Sequence, residues 1–269
     1  MYTRIFSRFS LCPFVGLLLL FCVRSADEKL GSRKIFVDLG ANDGASVAFF
    51  LFGKGAAGYV EGSHGHDGSL RSDYHGQDMF VGNSWELYVV EANNKYTSKL
   101  EAQKTKWLEE KLVKSYTLFN GTAIYVENGH LNFTFDSFPG GDAGSTLMKD
   151  SHSAVGESVM VVALDIVSLF RDIIMPSEVD YVVVKMDIEG AEFIVLKRII
   201  VSGLLPLVDK IAIEWHHMNP HVYGIRTGRG ASNSAERIKT HEKYVHQYHM
   251  LKWIVSDSGY ENRFSNWGR

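Results

Sequence analysis

From Lys34 onward the chain alternates short, almost unbroken apolar runs with segments of helical spacing, and this alternation restricts its folding more than any other feature. "RKIFVDLG", "WELYVVEAN", "VDYVVVKMD" and "VDKIAIEWH" read as buried strands, while "DGASVAFFLF", "KYTSKLEAQKTKWLEEKLVKS", "IVSLFRDII" and "EGAEFIVLKRIIVSG" carry a helical period. Strands with no polar face must be covered on both sides. The expected class is therefore α/β, with a central, mostly parallel sheet and helices on both faces. "SYTLFNGTAIYV", "HLNFTF" and "VMVVALD" are further strand-like runs, "HLNFTF" as an edge hairpin, and residues 234 to 255 read as a last helix. In such sheets ligands bind beyond the carboxyl ends of the strands, near the point where strand order reverses.

Four of these strands end in acids. "VVVKMDIEGAEF" runs from an apolar stretch into Asp187, Glu189 and Glu192. Acids in the first turn of a helix complement its dipole by about 0.3–1 kcal/mol each, which accounts for Glu189 and Glu192. Asp187 ends the strand itself and can act as both helix cap and ligand contact. "VDLGANDG" places Asp38 at a strand end, Gly40 in the turn and Gly44 at a helix start. A dinucleotide site would read G-x-G-x-x-G, but here the glycines are spaced G-x-x-x-G behind a carboxylate, which repels a pyrophosphate and favours a cation. Glu91 closes "LYVVE", where an acid can accept both ribose hydroxyls. The set suits S-adenosyl-L-methionine, a sulfonium without phosphate, better than NAD. Glu214 ends the fourth strand, just ahead of His216 and His217.

"FVDLGANDG", "VVEAN", "VVVKMDIEGAE" and "IAIEWH", in that order, resemble the FkbM-type S-adenosylmethionine-dependent methyltransferases over most of residues 34 to 217. The resemblance implies a class I methyltransferase (Rossmann-like) fold and O-methylation, often of sugar or polyketide hydroxyls. It implies that Asp38, Gly40, Ala41, Asn42 and Gly44 line the methionine end of the cofactor and that Glu91 holds the ribose. Asn120 and Gly121 would lie near the adenine, and Asp187 beside the transferred methyl. Two features depart from the pattern. A Gly/His-rich stretch at about residues 53 to 84 stands where a short link is usual, and little chain follows "SDSGYENRFSNWGR" to supply the closing strand pair.

Methyl transfer to a hydroxyl gains about 10²–10⁴ in rate from a positioned base, and histidine suits that role near neutral pH. His216 and His217 are the candidates, Asp187 is the rival base, and Glu214 could orient either histidine. His64, His66, Asp67, Asp73 and His75 cluster in the insertion, but their spacing matches no metal motif, so no metal is expected. His241, His246 and His249 share no clean helix face and read as surface residues. Arg226 and Arg229 sit in a loop that could grip an anionic acceptor.

The first 26 residues follow a different logic. Arg4 and Arg8 precede an apolar run from Leu11 to Val23, then Ser25 and Ala26, the layout of a signal peptide or a signal anchor that tethers the chain to a membrane. The remaining domain spans residues 30 to 269. Both cysteines, Cys12 and Cys22, fall in the leader, so the mature chain has no disulfide or thiolate site. Sequons at Asn120 and Asn132 fit a secretory route through the endoplasmic reticulum or Golgi. A net charge of −3 in mixed order gives no reason to expect a nucleic-acid partner. The expected activity is O-methylation of a small-molecule or glycan acceptor in that pathway. The alternative is a protein that keeps the methyltransferase fold as a secreted or tethered binding module.

Overall fold

The computed structural model describes residues 33 to 52, 83 to 134, 158 to 216, 235 to 257 and 264 to 266. The leader, the Gly/His-rich insertion with its five candidate ligands, Arg226, Arg229 and His217 lie outside the described residues.

Six strands form the main sheet. They are β1 (Lys34–Leu39), β2 (Trp85–Glu91), β3 (Ser115–Asn120), β7 (Tyr181–Met186), β8 (Lys210–Ile213) and β9 (Phe264–Asn266). Their order is β3-β2-β1-β7-β8-β9, and every neighbouring pair is parallel. This is an α/β sheet of Rossmann-like type, as expected. The chain moves outward from β1 in one direction and later in the other, so the reversal point lies between β1 and β7. In place of the closing strand pair for which little chain remained, the described residues contain one short parallel edge strand, β9.

Both faces are covered, for the reason legible in the apolar runs. Ile35, Val37 and Leu39 of β1 point to one face, where they pack with Val182, Val184 and Met186. That face is closed by α3 (Ile166–Ser168, continuing as a π-helix over Leu169–Ile174) and α4 (Glu192–Val201). Phe36, Leu87, Val89 and Val183 point to the other face, covered by α1 (Ala45–Phe52) and α2 (Thr97–Glu109) through Val47, Phe50, Leu100 and Trp107. Phe50 stacks on Phe36 with ring centroids 3.9 Å apart and meets Trp85 edge-on at 4.7 Å. Burying each large apolar side chain is worth about 1.5–3 kcal/mol.

Not all the strand-like runs join this sheet. β4 (Thr122–Tyr125), β5 (Gly129–Thr134) and β6 (Ser158–Asp165) form a separate three-stranded sheet of order β4-β6-β5. β5 is an edge strand antiparallel to β6, as its hairpin-like sequence suggested. The last helix, α5 (Ala235–Asp257), sets Tyr244 against Phe193 of α4 and Tyr248 against Trp215, just after β8. Among the described residues, no helix is long and apolar enough to cross a membrane.

Candidate active site

The carboxyl ends of β1, β2, β7 and β8 lie side by side, so the acids that end those strands converge. The turn after β1 is shaped by positive φ at Gly40 (82°), Asn42 (52°) and Gly44 (84°). It folds over β2 through Gly40 N–H and Ala41 N–H, which donate to the Val90 carbonyl at 3.0 and 3.1 Å. Gly40 is sterically obligatory. A Cβ there would lie 1.7 Å from the Asp187 carbonyl oxygen, so any side chain would push β1 and β7 apart at the reversal point. Gly44 is backed by the buried Gln103, whose amide donates to the Gly44 carbonyl at 3.1 Å and whose oxygen accepts from the Tyr116 hydroxyl at 2.8 Å.

Glu91 joins the first two strand ends. Its two carboxylate oxygens accept from Asn42 N–H at 2.6 Å and Asn93 N–H at 2.7 Å. Burial pushes Glu91 up to about 7 against the pull of those two hydrogen bonds. Each oxygen keeps a free lone pair, because a carboxylate can accept about four hydrogen bonds. Asn120 pairs in register with Glu91 at the end of β3 and is exposed, and Gly121 follows with a φ of 57°. Asn132, the other sequon residue, is also exposed.

Asp38 is placed differently from its neighbours. Its side chain is fully buried, accepts a short hydrogen bond from Ser46 and lies 3.3 Å from Lys185 Nζ. Burial raises Asp38 while Lys185 pulls it back, and its Oδ1 receives charge compensation rather than an aligned hydrogen bond. What Asp38 contributes to the strand ends therefore passes through Lys185. That lysine is 2% exposed, donates to the Gly40 carbonyl and reaches Asp187 Oδ2 at 3.2 Å. Burial works to lower Lys185, but Asp187 and Asp38 outweigh it, and the ammonium is held above its ordinary value. One buried cation thus ties the ends of β1 and β7 together. Its signal in the sequence was a lysine inside an apolar run, which must find a carboxylate if the strand is buried.

Asp187, Glu189 and Glu214 surround one imidazole. His216 Nε2 lies 3.2 Å from Glu189, 3.7 Å from Asp187 and 3.9 Å from Glu214. Its Nδ1 lies 2.8 Å from Glu192, which is fully buried. Burial opposes the charge on His216, yet Glu192, Glu189 and Asp187 together hold its proton affinity well above the usual histidine value. Burial also lifts Glu189 well above the carboxylate range and, with Asp187, lifts Glu214 to about 7. Asp187, Glu214 and His216 each offer a ligand atom within 4.8 Å of the others, a spacing that acidic groups often adopt with no ion and that alone identifies no metal site. His241, His246 and His249 lie on α5, His246 and His249 exposed and His241 half-buried.

The model of the methyltransferase FkbM domain matches residues 38 to 261, from the acid that ends β1 to a point just before β9. The chain belongs to the FkbM methyltransferase family. No curated protein and no solved structure matches it. The matched stretch contains the carboxyl ends of β1, β2, β7 and β8 in this FkbM domain, from Asp38 and Glu91 to Asp187 and His216. General methyltransferase activity follows from that membership, and cofactor and acceptor are questions for the site.

Proposed function

We propose that this FkbM domain is an S-adenosylmethionine-dependent O-methyltransferase whose acceptor is a hydroxyl of a glycan or glycolipid, and that its N-terminal leader directs it to the secretory pathway. One observation carries the reading. The carboxyl groups at the strand ends, Glu91, Asp187, Glu189 and Glu214, outnumber the cations Lys185 and His216 beside them. The raised proton affinity of Glu91, Glu189 and Glu214 marks a crevice short of positive charge, where a cation would favour their ionised forms. Such a site favours a positively charged, phosphate-free ligand. It also disfavours an anionic acceptor, and so favours neutral hydroxyls.

When bound, S-adenosylmethionine would supply an electrophilic methyl on a sulfonium. Glu91 would accept the ribose hydroxyls with lone pairs that its backbone donors leave free, and the Gly40–Gly44 turn would flank the methionine end. Asp187, fixed by its N–H on the Leu39 carbonyl at 3.0 Å and by Lys185, presents its carboxylate to the crevice. His216 would take the acceptor's proton through Nε2. Among so many carboxylates His216 holds a proton tightly, so it becomes a base only when positive charge enters beside Asp187, Glu189 and Glu214.

Titration calorimetry of the full chain with S-adenosylmethionine tests the proposal, with the neutral thioether S-adenosylhomocysteine alongside. Binding of both, followed by transfer of radiolabelled methyl to glycans with free hydroxyls, is the expected result. Silence at millimolar cofactor would instead favour the non-catalytic binding module.

A further inference from the structure

Glu192 has a more specific position than its place in a helix's first turn requires. It is the first residue of α4 and 0% exposed, and its carboxylate accepts from Ile188 N–H at 3.2 Å and from Gly190 N–H at 3.1 Å. Those two bonds pin the carboxylate beneath the turn that carries Asp187 and Glu189. From there Oε1 reaches His216 Nδ1 at 2.8 Å across the gap between α4 and the end of β8. The ring is held from its own strand as well. Trp215 packs against Phe193 at 5.1 Å and against Tyr248 at 5.2 Å, fixing the backbone from which His216 projects.

A carboxylate only accepts hydrogen bonds, so the nitrogen facing Glu192 must carry the hydrogen. In neutral His216 the lone pair then lies on Nε2, the nitrogen that faces Asp187, Glu189 and Glu214 at the crevice. Glu214, the orienting residue suggested by its place in the sequence, lies 3.9 Å away on the Nε2 side and is one-third exposed. It can neither fix the ring nor select the tautomer.

We propose that Glu192 is the positioning residue of His216, setting the Nδ1–H tautomer and the ring orientation so that Nε2 is the basic atom offered to the acceptor hydroxyl. The proposal rests on the reading of His216 as general base. Histidines are oriented by buried carboxylates in the same way wherever one ring nitrogen must be kept free for chemistry. Charged groups surround the ring from the neighbouring segments: Glu192 at the start of α4, Asp187 and Glu189 in the turn between β7 and α4, with Lys185 behind Asp187, and Glu214 after β8. Their summed field contributes to the proton affinity of His216, and among the described residues Glu192 is the group within hydrogen-bond distance of Nδ1.

The test uses ¹⁵N-histidine-labelled full chain, and its NMR readouts need no acceptor. The His216 signal is identified by its loss in His216→Gln. Long-range ¹⁵N–¹H correlations at high pH should show the neutral ring as Nδ1–H in the wild type. Glu192→Gln keeps the shape and one acceptor oxygen but removes the charge. It should make the tautomer mixed and weaken the hold on the His216 proton at least tenfold, one pH unit on the titration curve. Methyl transfer to a responsive glycan should fall at least tenfold in kcat with little change in KM for S-adenosylmethionine. A wild-type Nε2–H tautomer overturns the proposal even if Glu192→Gln fails to fold. So does a His216 signal that titrates identically in both proteins. If His216→Gln transfers methyl at the wild-type rate, the general-base reading falls instead, whatever the tautomer.

Discussion

Replacing Lys185 with methionine isolates the most consequential buried charge in the domain. Lys185 Nζ lies 3.3 Å from Asp38 and 3.2 Å from Asp187, and neither Lys185 nor Asp38 has meaningful contact with solvent. At an effective permittivity of about 20, each contact represents about 5 kcal/mol of attraction before desolvation is charged against it. Methionine fills similar volume, so the variant loses little packing. It leaves Asp38 buried with Ser46 as its remaining hydrogen-bond partner. Breaking a buried pair from one side costs about 3–5 kcal/mol, and the loss expected for Lys185→Met in urea unfolding lies in that range. Adding Asp38→Asn should recover part of it, because the stranded charge is then gone. The pH dependence has a definite sign. Lys185 is held above its ordinary value of 10.5, so its contribution is fully present below 10.5 and is lost only as pH climbs through the higher folded value. Asp38 is already raised by burial, and without Lys185 it rises further. The deficit of the variant should therefore narrow as pH falls and Asp38 takes a proton. A loss below about 1 kcal/mol, or a double variant no more stable than Lys185→Met alone, would refute the pairing argument.

The turn and the ribose contact give two more predictions. Gly40→Ala places a Cβ 1.7 Å from the Asp187 carbonyl at a φ of +82°. The left-handed backbone alone costs about 1–2 kcal/mol, and the clash adds to it. A lower melting temperature and lost cofactor binding should appear together in thermal-shift and calorimetric assays, and wild-type values for both would show that the close approach is not real. Glu91→Ala should weaken S-adenosylmethionine binding by about 1.5–3 kcal/mol, the value of hydrogen bonds to a charged group. Glu91 is pushed up to about 7, and hydroxyl donors favour its ionised form. Wild-type affinity should therefore rise as pH increases through that value, and the rise should be smaller in Glu91→Ala. A pH profile identical in the two proteins would remove Glu91 from the site.

How far the sequence could be read follows from the range of the forces involved. Hydrophobic periodicity is local. "IFVDL", "LYVVE", "YVVVKM" and "KIAI" therefore announced doubly covered parallel strands, and the acids at their ends pointed to the crevice. Gly40 was legible because a turn with an acid on its flank leaves few residues that fit. The partners of the charges were not legible. That Lys185 faces Asp38 depends on the β1–β7 register, which pairs those residues directly. Placing β4 to β6 in a second sheet depended on pairings that no single run of residues encodes. Glu192 was the most deceptive position. In the sequence it is an acid at a helix start, adequately explained by the helix dipole, and 24 residues separate it from His216. The sequence by itself determined which elements form and where charge collects. Only the tertiary structure decided which carboxylate faces which nitrogen, because hydrogen bonds and ion pairs act over a few ångströms and their partners meet only after the strands have been set in order.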